Sequence, residues 1–350
     1  MKTIPKHILH SALVFFMLTG FSSFAQRAPH IFLNTDSIKL IDQDILNDKY
    51  GKISSLLVFK GSKLVHEKYF GFSQISTLHP ISSVTKSITS IAVGICLDSG
   101  LIKSIDVPIH TYFPEYQSIF NADKAKEQIT LRHLLGQTAG FNWDEWTIHY
   151  SYAGNPLVEL SQNPDSWIPI VLSLPMDSTP GTKYTYNSAC SDLIKEIVCR
   201  STGMDFVDFI DEQIFKKLDI QHYHWDIYPG NGNPAWGGLS LTTRDMAKIG
   251  VLMLNKGQWR NRRVVSEEWV NLSTSKLVEA NDIAYGLHWW VTPSDNPSHL
   301  FYAAGYGDQY IIVDTNKEVV IAINAKNFSD HKWDDDYKHL IKRILNAYAL

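Results

Sequence analysis

The sequence predicts an α+β fold in which both ends of the chain supply one sheet and a helical region is inserted between them. Three observations predict it. Strand-like runs cluster at residues 55–69 and return at 286–323. Helical segments joined by Pro-, Gly- and Asn-rich loops fill most of 105–275. Helical spacing recurs close to both ends of the chain. Of 350 residues, 44% are hydrophobic and 19% charged. That excludes a disordered chain, a collagen-like repeat and a small disulfide scaffold.

The elements follow in order. Residues 1–25 read as an export leader: Lys2 and Lys6, then the apolar run Ala12–Leu18, then Ser23-Phe24-Ala25 before a cut at Gln26. Cleavage leaves a periplasmic or secreted protein of residues 26–350. No later run reaches about 18 apolar residues, so no stable membrane span is expected after cleavage. The sheet is expected in about 34–80 and 280–350, and the helical region in about 81–279. Asn34 to Asn47 has helical spacing through Ile38, Ile41 and Ile45. Ser55–Phe59 and Leu64–Tyr69 flank Lys60-Gly61-Ser62-Lys63, a β-hairpin pattern. Ser82 to Ser99 reads as a buried helix stopped by Gly100. Thr130–Leu135, Ser188–Thr202 (stopped by Gly203) and Thr243–Asn255 read as further helices. Strands are expected at Gly286–Val291, Phe301–Ala304, Gln309–Val313 and Val319–Ile323. A last helix with Tyr337, Leu340, Ile341, Ile344 and Leu345 inward follows the acidic run Asp334-Asp335-Asp336, which suits a helix N-terminus.

Charge and cysteine content bound the partners. The formal net charge is -4, and about -6 once Lys2 and Lys6 leave with the leader. With no long basic run there is no electrostatic reason to expect nucleic acid. Cys190 and Cys199 fall about 13 Å apart on one helix, too far to bond, and only Cys96 is placed to pair with either. Three buried, unpaired thiols are expected. His222, His224 and Asp226 lack a convincing third and fourth ligand, so no metal is expected. The absence of G-x-S-x-G argues against an α/β-hydrolase elbow.

The chemistry is expected at Ser83-Val84-Thr85-Lys86. Ser82 is the expected helix cap, which puts Ser83 in the first turn and Lys86 one turn along on the same side. A serine hydroxyl needs an adjacent base, and a buried lysine can supply one. A second element is Pro180-Gly181-Thr182 leading through Tyr184 to Tyr186-Asn187-Ser188, where a phenol stands at a turn before a helix. A third is Ala303-Ala304-Gly305-Tyr306-Gly307-Asp308-Gln309, whose small residues allow close backbone approach by a ligand. A backbone N–H there can help hold an oxyanion. Trp143-Asp144-Glu145-Trp146 precedes the second element and is expected to line the cleft, with Trp143 and Glu145 meeting a substrate amine or amide.

Together these blocks resemble the serine β-lactamase-related hydrolases: class C β-lactamases, D-alanyl-D-alanine carboxypeptidases, esterases and 6-aminohexanoate-dimer hydrolases. The likeness covers roughly residues 50 to 325. Thr130-Leu131-Arg132-His133-Leu134-Leu135 with Thr138-Ala139-Gly140, and Gly237-Gly238-Leu239 with Asp245-Met246-Ala247, resemble further blocks of that family in the same order. The resemblance implies a β-lactamase/transpeptidase-like sandwich, an antiparallel sheet flanked by terminal helices with a helical subdomain above the cleft. It implies Ser83 as the acylated nucleophile, Lys86 and Tyr186 sharing the acid–base work, and the N–H groups of Ser83 and Tyr306 as the oxyanion hole. It implies no cofactor, and a small ester, amide or peptide as substrate. Two departures matter. Tyr186-Asn187-Ser188 replaces Tyr-Ser-Asn, so Ser188 stands where an Asn helps hold a substrate amide. Ala303-Ala304-Gly305 lacks the cation that meets a β-lactam or peptide carboxylate. The expectation is therefore an exported esterase or amidase. A β-lactamase or D-Ala-D-Ala peptidase of the same fold, or a non-catalytic penicillin-binding-like sensor, is the alternative.

Overall fold

The computed structural model describes residues 35–280, 283–292, 299–328 and 334–348; the expected leader and its cut before Gln26 lie outside them. Strand β1 (Ile53–Lys60) turns through Gly61 and Ser62 into β2 (Lys63–Tyr69). Two short strands, β4 (His224–Trp225) and β5 (Leu239–Leu241), join β3 (His79–Pro80) in a small sheet of order β3-β5-β4. β6 (Gln258–Trp259) and β7 (Arg262–Arg263) form a hairpin. The C-terminal part supplies β8 (Val278–Ala280), β9 (Ile283–Tyr285), β10 (Trp290–Val291), β11 (Leu300–Gly305), β12 (Gln309–Asp314) and β13 (Val319–Ala325). These six and the first hairpin make one sheet of order β2-β1-β13-β12-β11-β10-β9-β8. Every neighbouring pair in it is antiparallel.

Side-chain alternation decides which layer each strand residue enters. On β13, Val319, Ile321 and Ile323 face one core, while Val320 and Ala322 face the other. β1 repeats this with Leu56 and Val58 against Leu57. The first core is closed by helix Thr35–Leu46, through Ile38, Ile41 and Ile45, and by helix Asp334–Ala347, through Tyr337, Leu340 and Ile344. The second is closed by helices Val84–Asp98 and Thr243–Leu254 and by the helical segments of 105–220. The antiparallel sheet with a terminal helix from each end and helices inserted between its strands is the expected α+β architecture. Helix Thr243–Leu254, expected with the helical region, packs on β1, β12 and β13.

Helix Thr243–Leu254 starts at the expected residue and is capped by Thr242, whose hydroxyl accepts from the Asp245 N–H at 3.1 Å. Two local expectations differ. Helix Cys190–Thr202 begins two residues later than the expected start at Ser188. Gly286–Val291 is not one strand: only Trp290 and Val291 pair, because the Gly286 N–H donates to the Trp289 carbonyl at 2.8 Å and closes a turn. All three cysteines are free, Cys96 and Cys190 buried and Cys199 half-buried.

Candidate active site

The start of helix Val84–Asp98 is held from two sides. The Ile81 N–H donates to the Leu239 carbonyl at 2.9 Å, and the Ser82 hydroxyl donates to the Tyr306 carbonyl at 3.0 Å. Ser82 has φ +48°, a left-handed conformation that a non-glycine residue adopts at a cost. Ser83, not Ser82, is the N-cap, and its side chain makes no capping bond. The Ser83 hydroxyl is therefore not committed to the helix. Residues Val84–Cys96 are all buried, including polar ones, and several of the polar ones have partners, though the Ser90 hydroxyl has none. Ser87 donates to the His288 carbonyl at 2.7 Å and Thr89 to the Ala235 carbonyl at 2.8 Å.

Lys86 is 2% exposed. Its Nζ lies 3.0 Å from Ser83 Oγ, 2.9 Å from Ser188 Oγ and 3.4 Å from the Trp236 carbonyl. It also lies 4.8 Å from the centre of the Tyr186 ring. Trp236 sits in a loop that a buried pair positions. Asp192 accepts from the Ala235 N–H at 2.9 Å, and Lys195 donates to the Asn231 and Asn233 carbonyls at 2.6 and 3.1 Å. Burial pushes the Asp192 carboxyl above its ordinary range, against the charge of Lys195.

The second motif is fixed by the turn after helix Leu131–Leu135. Gln137 is buried at φ +58°; its carbonyl accepts from the Thr185 N–H at 2.8 Å and its side-chain oxygen accepts from the Asn187 N–H. Tyr186, held between these two bonds, stacks on Trp146 at 5.1 Å and lies nearly parallel to Trp290 at 6.2 Å. Ser188 Oγ donates to Glu145 Oε1 at 2.6 Å, and its N–H donates to Oε2 at 2.7 Å. Glu145, 1% exposed, also accepts from the Trp143 indole at 2.7 Å and the Tyr150 phenol at 2.9 Å. Burial, reinforced by the Glu145 charge, holds the Tyr150 phenol far above its ordinary range, so it stays a donor.

Ser83 opens onto a cavity of about 530 Å³, whose walls include Glu145, Trp146, Tyr186, Trp290, Ala304, Gly305 and Tyr306. A second cavity of about 290 Å³ also reaches Ser83 and is bounded by Ser188 and Trp236. Tyr150 and Tyr306 border both, their rings 5.2 Å apart edge to face. The close approach that Gly305 allows is to the chain itself: a Cβ there would lie 2.3 Å from the Ile81 carbonyl oxygen. Neither the Ser83 nor the Tyr306 main-chain N–H is bonded to another protein group among the described residues.

Behind the helix, His288 is buried at φ +61°, its Nε2 3.2 Å from Ser191 Oγ. Burial pushes its imidazole down to about 3. Burial, with Lys326, pushes that of His79 down to about 4. Unfolded imidazoles titrate near 6.5. Between that value and about 4 the unfolded chain binds protons that the folded chain refuses, so stability falls as pH falls. Each histidine contributes up to about 1.4 kcal/mol per pH unit in that window. Unfolding midpoints measured in urea from pH 7 to 4.5 should decline, and His288→Asn should flatten the decline. A slope unchanged by that substitution would remove His288 as a cause.

The structure thus brings Ser83, Lys86, Tyr186, Ser188, Glu145, Ala304, Gly305 and Tyr306 to one cleft. Trp143 is the exception: it is buried, hands its indole N–H to Glu145, and Trp146 takes the place on the cavity wall expected for it. Sequence reasoning missed Tyr150, Trp236 and Trp290. Tyr150 follows Trp146 closely in an aromatic-rich loop, which was a usable signal; nothing local marks the other two. Among the described residues no three His, Cys, Asp or Glu side chains gather as a metal ion requires.

The sequence profile of the Beta-lactamase family matches residues 54–345. A 6-aminohexanoate-dimer hydrolase of Paenarthrobacter ureafaciens is 28% identical over 220 residues, covering 62% of this chain and 55% of its own length. The chain thus spans just over half of that relative. In fold it is similar to a family VIII carboxylesterase, with TM-score 0.70 and 16% identity, covering 92% of this chain and 97% of that one. It is similar also to a D-stereospecific amidohydrolase from Streptomyces, with TM-score 0.66 and 16% identity, covering 87% and 97%. With most of its length matched by the profile, and with the fold shared, the chain belongs to the Beta-lactamase family of serine hydrolases.

Proposed function

We propose that this protein is an exported serine hydrolase that cleaves a neutral ester or amide through an acyl-enzyme on Ser83. The observation that carries the reading is the 3.0 Å approach of Lys86 Nζ to Ser83 Oγ at the mouth of the larger cavity. Ser83 Oγ attacks the substrate carbonyl carbon and its proton passes to Lys86 Nζ. The N–H groups of Ser83 and Tyr306 receive the oxyanion, and the positive end of helix Val84–Asp98 favours that charge. Lys86 or Tyr186 then returns a proton to the leaving alcohol or amine, and water releases the acid by the reverse sequence. Two cavities meeting at Ser83 give the acyl and leaving groups separate room.

The wall chemistry supports a substrate without a carboxylate. Among the described residues the wall of the larger cavity carries aromatic rings, His149, Asn327, Glu145 and Asp308, and no Lys or Arg. A carboxylate entering it would lose water and meet two acidic side chains and no Lys or Arg. The likeness to an aminohexanoate-dimer hydrolase and to a carboxylesterase agrees with amide or ester cleavage. Mature protein should hydrolyse p-nitrophenyl esters and short amide oligomers far faster than a chromogenic cephalosporin or a D-Ala-D-Ala peptide. Fluorophosphonate should label Ser83 and leave Ser83→Ala unlabelled. Efficient cephalosporin turnover would overturn the substrate assignment, and a label on another residue the nucleophile. Export rests on the leader. Recovery from the native cell with Gln26 as first residue supports it, and an intact Met1 there would remove it.

A further inference from the structure

The geometry points to Glu145 as a positioning residue that, through the Ser188 hydroxyl, aims the Lys86 amine at Ser83. The inference rests on the roles of Ser83 and Lys86 proposed above and adds to them. It also replaces the expectation that Glu145 and Ser188 hold the substrate.

A carboxylate offers about four lone-pair directions. Those of Glu145 meet four donors: Ser188 Oγ and Tyr150 Oη at Oε1, and Ser188 N and Trp143 Nε1 at Oε2. No capacity is left for a substrate amide or amine. The bond at 2.6 Å takes the one hydroxyl proton of Ser188, so its oxygen can only accept from Lys86, at 2.9 Å. The Trp236 carbonyl can also only accept. A neutral amine has two N–H bonds and one lone pair. With two obligatory acceptors in place, both N–H bonds are taken, and the lone pair is left for the third neighbour, Ser83 Oγ–H at 3.0 Å. When the proton of Ser83 moves to Nζ, the new N–H points back at the Ser83 oxygen, and the existing bonds persist. The Glu145 carboxylate then faces the ammonium across one hydroxyl, in a buried site where charge is weakly screened.

A neutral amide at residue 145 breaks this logic. Its NH2 group can donate to Ser188 Oγ, which frees the hydroxyl proton to bond the Lys86 lone pair and withdraws that lone pair from Ser83. The departure from Tyr-Ser-Asn to Tyr186-Asn187-Ser188 therefore has a use: a hydroxyl can relay direction between a carboxylate and an amine that do not touch.

The test compares Glu145→Gln, Ser188→Ala and the double variant. Each is assayed for p-nitrophenyl ester hydrolysis, for the rate of fluorophosphonate labelling, and for Tm. Each single variant should lower kcat and the labelling rate about 100-fold with KM within about threefold. The double variant should be no worse than the poorer single one, because both break the same relay. Ser188→Thr, which keeps the hydroxyl, should recover most of the rate lost in Ser188→Ala. Ser188→Ala carries the test if Glu145→Gln does not accumulate folded. The inference is overturned if Ser188→Ala is labelled at the wild-type rate, if Glu145→Gln raises KM with kcat kept, or if the losses multiply in the double variant. Labelling of Ser83→Ala would instead overturn the nucleophile assignment, so the two failures are distinguishable.

Discussion

Replacing Lys86 by methionine is expected to lower kcat/KM for an activated ester by about 1,000-fold or more while leaving Tm unchanged or slightly raised. The activity term follows from position. Ser83 Oγ has Lys86 Nζ at 3.0 Å as its hydrogen-bonding neighbour, and a positioned base contributes about 10²–10⁴-fold. The stability term has the opposite sign for a physical reason. Lys86 is 2% exposed, and its three hydrogen-bond partners are hydroxyls and a carbonyl rather than a carboxylate. A buried amine held in this way is poorly compensated for its lost hydration. Methionine fills the same volume without charge and packs against the Tyr186 ring. It strands the Trp236 carbonyl, while Ser188 keeps its bond to Glu145, so the net change is small. Steady-state kinetics and a thermal melt of the same preparation decide the matter. Activity within tenfold of wild type would transfer the base role to Tyr186. A sharply lower Tm would mean that Lys86 holds the fold and that the rate loss says nothing about proton transfer.

How much of this was legible beforehand depends on the range of the interaction. Period-two alternation marks β1 and β13 because each side chain must choose between two cores. The S-x-x-K spacing marks Ser83 and Lys86 because one helical turn is a local relation. The left-handed turn at Ser82 was not legible, since serine carries no signal for positive φ; it is held by the Tyr306 carbonyl 224 residues away. The Gly286–Trp289 turn was hidden for a similar reason. Its residues read as strand, but the His288 N–H donates to the Leu135 carbonyl at 2.9 Å and the chain bends to reach it. The Glu145–Ser188 pairing joins two motifs 43 residues apart. Each was visible as a polar residue near the cleft, and neither could be matched to the other before folding. The role of Gly305 was half legible: a close approach was foreseen, with a ligand in place of the Ile81 carbonyl.

That last contact supports the second large effect. Gly305→Val should lower kcat at least 100-fold and also lower Tm. A Cβ at Gly305 would lie 2.3 Å from the Ile81 carbonyl oxygen and 3.2 Å from Gln309 Cβ. The first is main chain two residues before Ser83, and it accepts from the Val84 N–H at 3.1 Å in the opening turn of the serine helix. The other side cannot yield either. Gln309 pairs with Gly305 across the β11–β12 hairpin, and its amide donates to the Gly307 and Ala325 carbonyls at 3.0 and 2.7 Å. Relief therefore comes from displacing Ile81–Ser83 away from β11. That stretches the Ser82–Tyr306 bond and separates the two N–H groups assigned to the oxyanion. A misplacement of about 1 Å in such a site costs about 100-fold, and forcing extra carbon into a packed interior costs about 1–3 kcal/mol. Gly305→Ala should show the same two effects with smaller size, because it adds the clashing atom without the branches. The pair is read by kcat, fluorophosphonate labelling rate and Tm on folded protein. If Gly305→Val labels at the wild-type rate, the approach of β11 to the serine turn does not set the geometry of the nucleophile, and the glycine serves packing alone.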